Sequence, residues 1–244
     1  MSPAHALGQA DDAEGLRIAD MLPDTPRILV ADDHPLFRLA LGQALHGVVP
    51  GALIREADSL GAVRRALAAE PDTDLVLLDL HMPGSHGLMG LAALRAEYPA
   101  IAVVMISAHD DPAVIRRALD YGAAGFISKR ADLAGLELGL RTVLACEEYI
   151  PPELHGAVDR AVVPAADRDL AARLASLTPQ QFRVLQRVAE GSLNKQIAAE
   201  LGFTERTAKA HMSAIFEKLG VRNRTQAGVL LRTLELSDPD RAPL

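Results

Sequence analysis

Between Pro26 and Ala145 the chain alternates five times between a short apolar run and a longer segment with helical spacing. The best of the short runs, LVLLD and IAVVMI, are apolar almost throughout. Such strands are covered on both faces, which requires a parallel sheet flanked by helices. The pattern therefore predicts an α/β doubly wound domain with a five-stranded parallel sheet. The predicted strands are 27–31, 52–57, 75–79, 101–106 and 125–128, and the predicted helices are 36–45, 60–70, 87–98, 112–122 and 133–145.

A smaller, all-α unit is predicted downstream. Four further segments have helical spacing, and three of them end at a glycine, which is a common helix stop. They are 178–191, 194–202, 204–220 and 224–236. We expect five parts in all: a disordered tail (1–25), the α/β domain (26–148), a proline-bearing linker (149–175), a four-helix domain (176–236) and a C-terminal tail (237–244).

The charge of the chain is unevenly divided between these parts. The whole chain has a formal net charge of −7, whereas residues 177–235 carry a net charge of +4. This division favours contact between the C-terminal unit and a polyanion. The sequence has no apolar run of ~18 residues for a membrane span, no signal peptide, and a single cysteine, Cys146. We therefore expect a cytoplasmic protein without a membrane partner.

Polar side chains follow four of the five predicted strands. Asp32 and Asp33 follow the first, Asp79 ends the third, Ser107 follows the fourth, and Lys129 follows the fifth. Ligands of doubly wound sheets bind beyond the carboxyl ends of the strands, so these side chains should converge on one rim. Three crowded carboxylates need a cation, and their hard oxygen ligands suit Mg²⁺. We expect Asp79 to stand at the mouth of this site and not within the buried core.

The motifs ILVADDHP, LVLLDLHMPGSHG, VVMISA and GFISK occur in this order within residues 26–148. As a set they resemble the receiver domain of two-component response regulators. The resemblance implies that Asp79 accepts a phosphoryl group from a sensor histidine kinase. It assigns Mg²⁺ binding to Asp32 (through water), Asp33, Asp79 and the backbone carbonyl of His81, phosphoryl contacts to Ser107 and Lys129, and the role of an inward-moving aromatic switch to Phe126.

The C-terminal stretches GSLNKQIAAELGFTERTAKAH and KLGVRNRTQA resemble the LuxR-type helix-turn-helix module. A receiver followed by this module is typical of the NarL/FixJ class, which implies binding to double-stranded DNA. The helix over 204–220 has a polar side that suits the major groove, and Thr204 is placed to cap it. By the family pattern, base edges would be contacted by Lys209, Ala210 and Ser213, and backbone phosphates by Asn194, Lys195, Thr204, Arg206, Thr207, Lys218 and Arg222.

The predicted protein is a phosphorylation-dependent transcription regulator and not an enzyme. In the family picture, the receiver covers the recognition helix until Asp79 is phosphorylated, and the protein then forms a homodimer on DNA. The long proline-bearing linker could instead leave the two domains independent before phosphorylation. One alternative keeps the DNA binding but uses the receiver as a constitutive dimerisation or docking module. Another is a Mg²⁺-dependent phosphohydrolase with Asp79 as nucleophile, although such an enzyme would need a second aspartate where His81 stands. Four loop histidines near the rim leave a histidine metal site open: His34, His81, His86 and His109.

Overall fold

The computed structural model describes residues 25–85 and 87–234 of the 244-residue chain. His86 and the predicted tails, except for Thr25, lie outside the described residues. No helix in the described ranges is both long and apolar enough to cross a membrane.

The first half of the chain forms the predicted alternation of strands and helices. The elements are β1 Arg27–Ala31, α1 Pro35–Val48, β2 Leu53–Ala57, α2 Leu60–Ala69, β3 Leu75–Asp79, α3 Met89–Glu97, β4 Ala102–Ser107, α4 Pro112–Asp120, β5 Gly125–Ser128 and α5 Leu133–Leu144. The five strands are all parallel and lie in the order β2-β1-β3-β4-β5. The predicted α/β doubly wound sheet is thus confirmed.

Each face of the sheet is covered by its own apolar core. On one face α1 and α5 pack together over inward side chains such as Val30, Leu77 and Ile127. On the other face α2, α3 and α4 cover Leu29, Val76 and their neighbours. This second core continues without interruption into the C-terminal helices, so the two halves of the chain share one apolar cluster.

The segment predicted as a linker is largely helical and packed. It contains a 3₁₀ turn (Pro152–Leu154), α6 (His155–Arg160) and α7 (Ala165–Ala175). Before the turn, Tyr149 bridges to Gly125 in parallel fashion and accepts a hydrogen bond from the Phe126 N–H at 2.7 Å. The start of this segment therefore lies along the free edge of β5.

The last four helices form the predicted helix-turn-helix unit. They are α8 Pro179–Ala189, α9 Asn194–Leu201, α10 Glu205–Leu219 and α11 Arg224–Arg232. A capping box of Thr178 and Gln181 starts α8, and the Thr204 side chain caps α10 by accepting the Thr207 N–H at 3.1 Å. Gly202 and Gly220 end α9 and α10 in left-handed conformations (φ 71° and 66°), which glycine adopts without steric cost.

Candidate functional site

Three carboxylates meet at the carboxyl edge of the sheet. Asp32 and Asp33 follow β1, and Asp79 is the last residue of the neighbouring strand β3. A ligand oxygen from each, together with a ring nitrogen of His34, lies within 4.8 Å of the others. A tight set of three carboxylates matches the hard oxygen ligands that Mg²⁺ prefers, so these side chains fit the cation that the sequence implies.

Lys129 supplies the positive charge of this cluster. Its Nζ lies 2.6 Å from Asp32 Oδ2 and 3.0 Å from Asp79 Oδ2. The backbone places it there, because the Lys129 N–H donates to the Ser107 carbonyl at 2.7 Å in continuation of the β4–β5 pairing. The ammonium group therefore bridges two of the three carboxylates.

Asp79 is more deeply buried than the sequence suggested. The whole of β3 is buried, and Asp79 is 2 % exposed, so the expectation that it lies outside the buried core is wrong, although it does line the cleft at the site. The carboxylate is tolerated because Lys129 compensates for its charge. Desolvation by burial, followed by the charge of Asp32, raises the pKa of Asp79 above its ordinary value, and Lys129 opposes this shift.

Backbone and hydroxyl groups complete the rim. The His81 N–H donates to Asp79 Oδ1 at 3.3 Å, and the Ser107 Oγ accepts the His109 N–H at 3.0 Å. Ser107 is 1 % exposed and borders the same cleft as Asp79 and Lys129. The structure thus brings together Asp32, Asp33, Asp79, Ser107 and Lys129, as the order of strands predicted.

Phe126, the predicted aromatic switch, lies in the core. Its side chain is completely buried, as part of the apolar core that continues into the C-terminal helices. The side chain therefore already lies inward in this structure, and its movement stays a prediction. The backbone N–H of Phe126 donates to the Tyr149 carbonyl, so the segment after α5 lies along the edge of β5.

Three residues at the start of α1 also take part in the site. His34 Nδ1 lies 3.0 Å from Asp32 Oδ1 and 2.9 Å from Asp33 Oδ1. The Phe37 ring centroid lies 5.1 Å from Lys129 Nζ, and Arg38 donates to the Asp32 carbonyl at 2.6 Å. Sequence reasoning singled out His34 but missed Phe37 and Arg38, because both fit the ordinary pattern of an amphipathic helix.

A cleft of about 580 Å³ opens beside Asp79. The polar side of the cleft carries Lys129, Ser107 and two histidines, His81 and His109, whose rings meet edge to face at 5.9 Å. The other side is the apolar start of α1, where Leu36 is 83 % exposed. The Asp79 carboxylate thus lines a cleft with one polar and one apolar side.

The second candidate surface is the polar side of α10. Its apolar side faces the core through Ala208, Met212, Ile215 and Leu219, as predicted. The predicted contact residues on α10 and in its first turn are exposed. They are Arg206, Thr207, Lys209, Ala210 and Ser213.

The other predicted DNA contacts are placed less uniformly. Lys195 and Arg222 are exposed, and Asn194 is partly buried at the start of α9. Thr204 is exposed but uses its hydroxyl as the cap of α10. The ammonium group of Lys218 donates to the Ser176 carbonyl at 2.7 Å and to Gln181 Oε1 at 2.8 Å, so it ties α10 to the start of α8.

Both halves of the chain match known family models. Residues 28–140 match the response regulator receiver domain, and residues 175–231 match the bacterial regulatory proteins of the luxR family. The chain belongs to the two-component response regulators. This response regulator therefore joins a receiver domain to a LuxR-type DNA-binding domain, and its relatives are transcription regulators.

The matches to those relatives cover most of this chain and almost the whole of each relative. The glycerol metabolism activator of Pseudomonas putida is 41 % identical, and the match covers 82 % of this response regulator and 92 % of the relative. The probable transcriptional regulatory protein NarL of Mycobacterium tuberculosis is 37 % identical, over 84 % and 93 % of the two chains. The Salmonella typhimurium response regulator RcsB has a similar fold, with a TM-score of 0.52 at 20 % identity over 86 % of this chain and 100 % of that chain.

Proposed function

We propose that Asp79 accepts a phosphoryl group from a sensor histidine kinase and that this mark controls DNA binding. An oxygen of the Asp79 carboxylate attacks phosphorus, the bond from phosphorus to the donor imidazole breaks, and its electron pair returns to the imidazole. The observation that carries the proposal is the position of Lys129, 3.0 Å from the acceptor carboxylate and on the wall of an open cleft.

The carboxylates of Asp32, Asp33 and Asp79, with the His81 carbonyl, would hold Mg²⁺. When bound, the ion neutralises negative charge on the phosphoryl oxygens. Lys129 moves from Asp32 to a phosphoryl oxygen, and the Ser107 hydroxyl donates to another. Hydrogen bonds to the charged phosphoryl oxygens are stronger than those between neutral groups. They would therefore draw Lys129 and Ser107 toward the modified Asp79 and change the local structure of the rim.

We propose that the output surface is the exposed side of α10. In this arrangement Lys209, Ala210 and Ser213 lie against base edges in the major groove, and the phosphate contacts come from flanking residues. The proposed phosphate contacts are Asn194, Lys195, Thr204, Arg206, Thr207 and Arg222. The hydrogen bonds of Lys218 favour a structural role for it instead.

The phosphorylated protein is proposed to bind double-stranded DNA as a homodimer in the cytoplasm. The receiver would span 26–148 and the DNA-binding domain 176–236, joined by the packed segment 149–175. Support for pairing comes from Val229, an apolar side chain of α11 that is 59 % exposed. Two copies then double the number of base pairs contacted.

The proposal is tested by incubating the full chain with Mg²⁺ and acetyl phosphate, followed by intact mass and light scattering. The expected result is a gain of one phosphoryl group and a shift toward dimer. Asp79→Asn should abolish both changes. Asp110→Asn is a matched control, because it removes a carboxylate that pairs with Arg130 near the rim and should leave both changes intact.

A failure with acetyl phosphate is followed by a test with purified sensor kinases. If no donor modifies Asp79, the phosphorylation proposal is overturned. The receiver would then be a constitutive docking module for the DNA-binding domain.

A further inference from the structure

Four arginines line an open cavity of about 300 Å³ that has walls from both halves of the chain. Arg64 and Arg65 belong to α2 of the receiver, and Arg183 and Arg187 belong to α8 of the DNA-binding domain. The cavity shares no lining residue with the cleft beside Asp79, so it is a separate site. The other residues that line it are Ala68, Glu97, Tyr98, Gln186 and Leu201.

Arg64 holds the two walls of this cavity together. Its Nη2 donates to Glu97 Oε1 at the end of α3, at 2.9 Å, and to Gln186 Oε1 of α8, at 2.8 Å. The spacing of the walls is therefore already set before any ligand enters. A site that is ordered in advance costs less free energy to occupy.

The lining of the cavity is strongly positive. It contains four arginines and one carboxylate, that of Glu97, which gives a net charge of +3. Arg187 Nη1 lies 2.6 Å from Glu190 Oε2, and its Nη2 lies 2.7 Å from Glu200 Oε1. These two glutamates are about half exposed and outside the lining, so solvent screens their charge. The cavity thus favours an anion.

Two arginines have guanidinium groups that are available to such an anion. Arg65 is exposed and has no ion pair among the described residues. Arg183 is 53 % exposed, and its one ion pair in the described ranges is a long one, 3.7 Å from Glu97 Oε2. Guanidinium groups bind phosphate oxygens through two parallel hydrogen bonds, so this pair of arginines, one from each domain, suits a phosphate group.

Two buried polar atoms at the cavity lack a hydrogen-bond partner among the described residues. They are Arg64 Nε, which is a donor, and Glu97 Oε2, which is an acceptor. The Glu97 side chain is 1 % exposed, and leaving its oxygen without a hydrogen bond is costly. A donor and an acceptor that are both open suit a ligand with an anionic oxygen and a hydroxyl group.

The size and the apolar part of the cavity indicate an organic ligand. A volume of about 300 Å³ is at the lower end of the range for small-molecule sites and exceeds what an inorganic ion needs. Ala68, Leu201 and the partly buried Tyr98 supply carbon surface among the arginines.

We propose that this cavity binds a small phosphate monoester that also carries a hydroxyl group. Arg65 and Arg183 donate to the phosphate oxygens, and Glu97 Oε2 accepts a hydrogen bond from the hydroxyl. Because the walls come from both domains, the site exists only while the domains are in contact. The inference goes beyond the proposed function and does not depend on it, since it uses no residue of the acidic rim.

The first test is calorimetric titration of the full chain without Mg²⁺, so that no metal at the acidic rim binds the phosphate. Ribose 5-phosphate should bind once per chain and about tenfold more tightly than methyl phosphate, which lacks a hydroxyl on its carbon part. Ribose should not bind. No saturable binding of ribose 5-phosphate below about 10 mM would overturn the proposal. Equal affinity for ribose 5-phosphate and sulfate would show an unselective anion site and would also overturn it.

The second test uses Arg65→Gln and Arg183→Gln. Each should weaken binding of ribose 5-phosphate about tenfold, because each removes a charged hydrogen-bond donor. Both side chains are largely exposed, so both variants should fold, which circular dichroism checks. Arg141→Gln is the matched control: it removes an exposed arginine of α5 outside the cavity and should bind like wild type. Unchanged affinity in both cavity variants would contradict the assignment.

The role of Glu97 is tested with Glu97→Gln. Loss of one negative charge should tighten the binding of methyl phosphate, whereas the weaker acceptor should reduce the preference for ribose 5-phosphate. An unchanged preference would rule out the contact between Glu97 and the hydroxyl.

A DNA phosphate is the other partner that these arginines could bind. In that case Arg65→Gln and Arg183→Gln would reduce the slope of log DNA affinity against log salt, and wild type would not bind ribose 5-phosphate. That combination would overturn the proposal. None of these measurements involves a phosphoryl donor, so failure of Asp79 to accept a phosphoryl group would leave their outcome unaffected.

Discussion

At the scale of single residues, Lys129 determines the properties of the acidic site. Its ammonium group contacts Asp32 and Asp79 while its charge lies over the Phe37 ring. An uncompensated buried charge is very costly, so this one side chain allows two almost completely buried carboxylates to exist side by side. Under the proposed function the same group would pair with incoming phosphoryl oxygens, because it already lies 3.0 Å from the proposed acceptor, Asp79.

Asp79→Asn should stabilise the protein when no divalent metal is present. The pKa of Asp79 is raised above 3.8 in the folded chain, so the folded state keeps this proton at a higher pH than the unfolded state does. The free energy of unfolding of wild type should therefore fall as pH rises from about 4 through the raised pKa. Asp79→Asn should lack this step and unfold about 2–4 °C higher at pH 7, measured by calorimetry in EDTA. A variant that unfolds below wild type would contradict the expectation.

Lys129→Met should lower the metal-free stability by about 3 kcal/mol, because it leaves Asp32 and Asp79 without their cation. Adding Mg²⁺ should restore more stability to this variant than to wild type, since the metal replaces the missing charge. Urea denaturation with and without Mg²⁺ measures both effects. Arg130→Met is the control: its pair with Asp110 is at the surface and should cost less than about 1 kcal/mol.

At the scale of elements, side-chain caps fix where the helices of the DNA-binding domain begin, and the hydrogen bonds of one lysine join two of these helices. Thr178, Gln181 and Thr204 start α8 and α10 through side-chain hydrogen bonds. Lys218 then joins the two helices by binding Ser176 and Gln181. The orientation of α10 relative to α8 therefore depends on a lysine that the family pattern places on the DNA.

Lys218→Met and Lys209→Met should consequently have different effects. Lys209→Met should weaken DNA binding and reduce the slope of log affinity against log salt by about one, because one phosphate or base contact is lost. Lys218→Met should leave the slope unchanged and lower the unfolding temperature. Fluorescence anisotropy across a salt series, with thermal melts, measures both. A reduced slope for Lys218→Met would assign it to the DNA instead.

The contact between α5 and the segment after it is tested at Gly139. A Cβ at this position would lie 2.8 Å from Tyr149 Cε1 and 3.1 Å from Ile127 Cγ1, so Gly139→Ala should cost about 1–3 kcal/mol. Gly42→Ala in α1 has no atom within 4 Å of its new Cβ and should stabilise the protein by about 0.5–1 kcal/mol. Chemical denaturation gives both values. A neutral Gly139→Ala would mean that Tyr149 does not occupy this position.

At the scale of the whole molecule, the two domains are joined by an apolar cluster and by charges placed around it. Helix α3 lies between α7 and α8, with Arg64 on one side and Arg117 on the other. Because the cluster is continuous, the domains are expected to unfold together. The linker contributes to this unit, since Val158 and Leu170 are buried.

Calorimetry of the unphosphorylated chain should therefore show one cooperative transition. Two transitions in unactivated wild type would indicate that the domains are already independent.

The sequence by itself determined the parallel sheet, the rim of Asp32, Asp33, Asp79, Ser107 and Lys129, and the four C-terminal helices. These follow from local rules: strand composition, helix periodicity, caps, and the fact that parallel strands end at one edge. Only the tertiary structure decided the burial of Asp79 and Phe126 and the position of Phe37 beside Lys129. It also decided the hydrogen bonds by which Lys218 joins α10 to α8, and the packing of α3 against α7 and α8, which leaves the polar side of α10 exposed. Each of these features depends on contacts between side chains that are far apart in the sequence, and local sequence patterns do not specify such contacts.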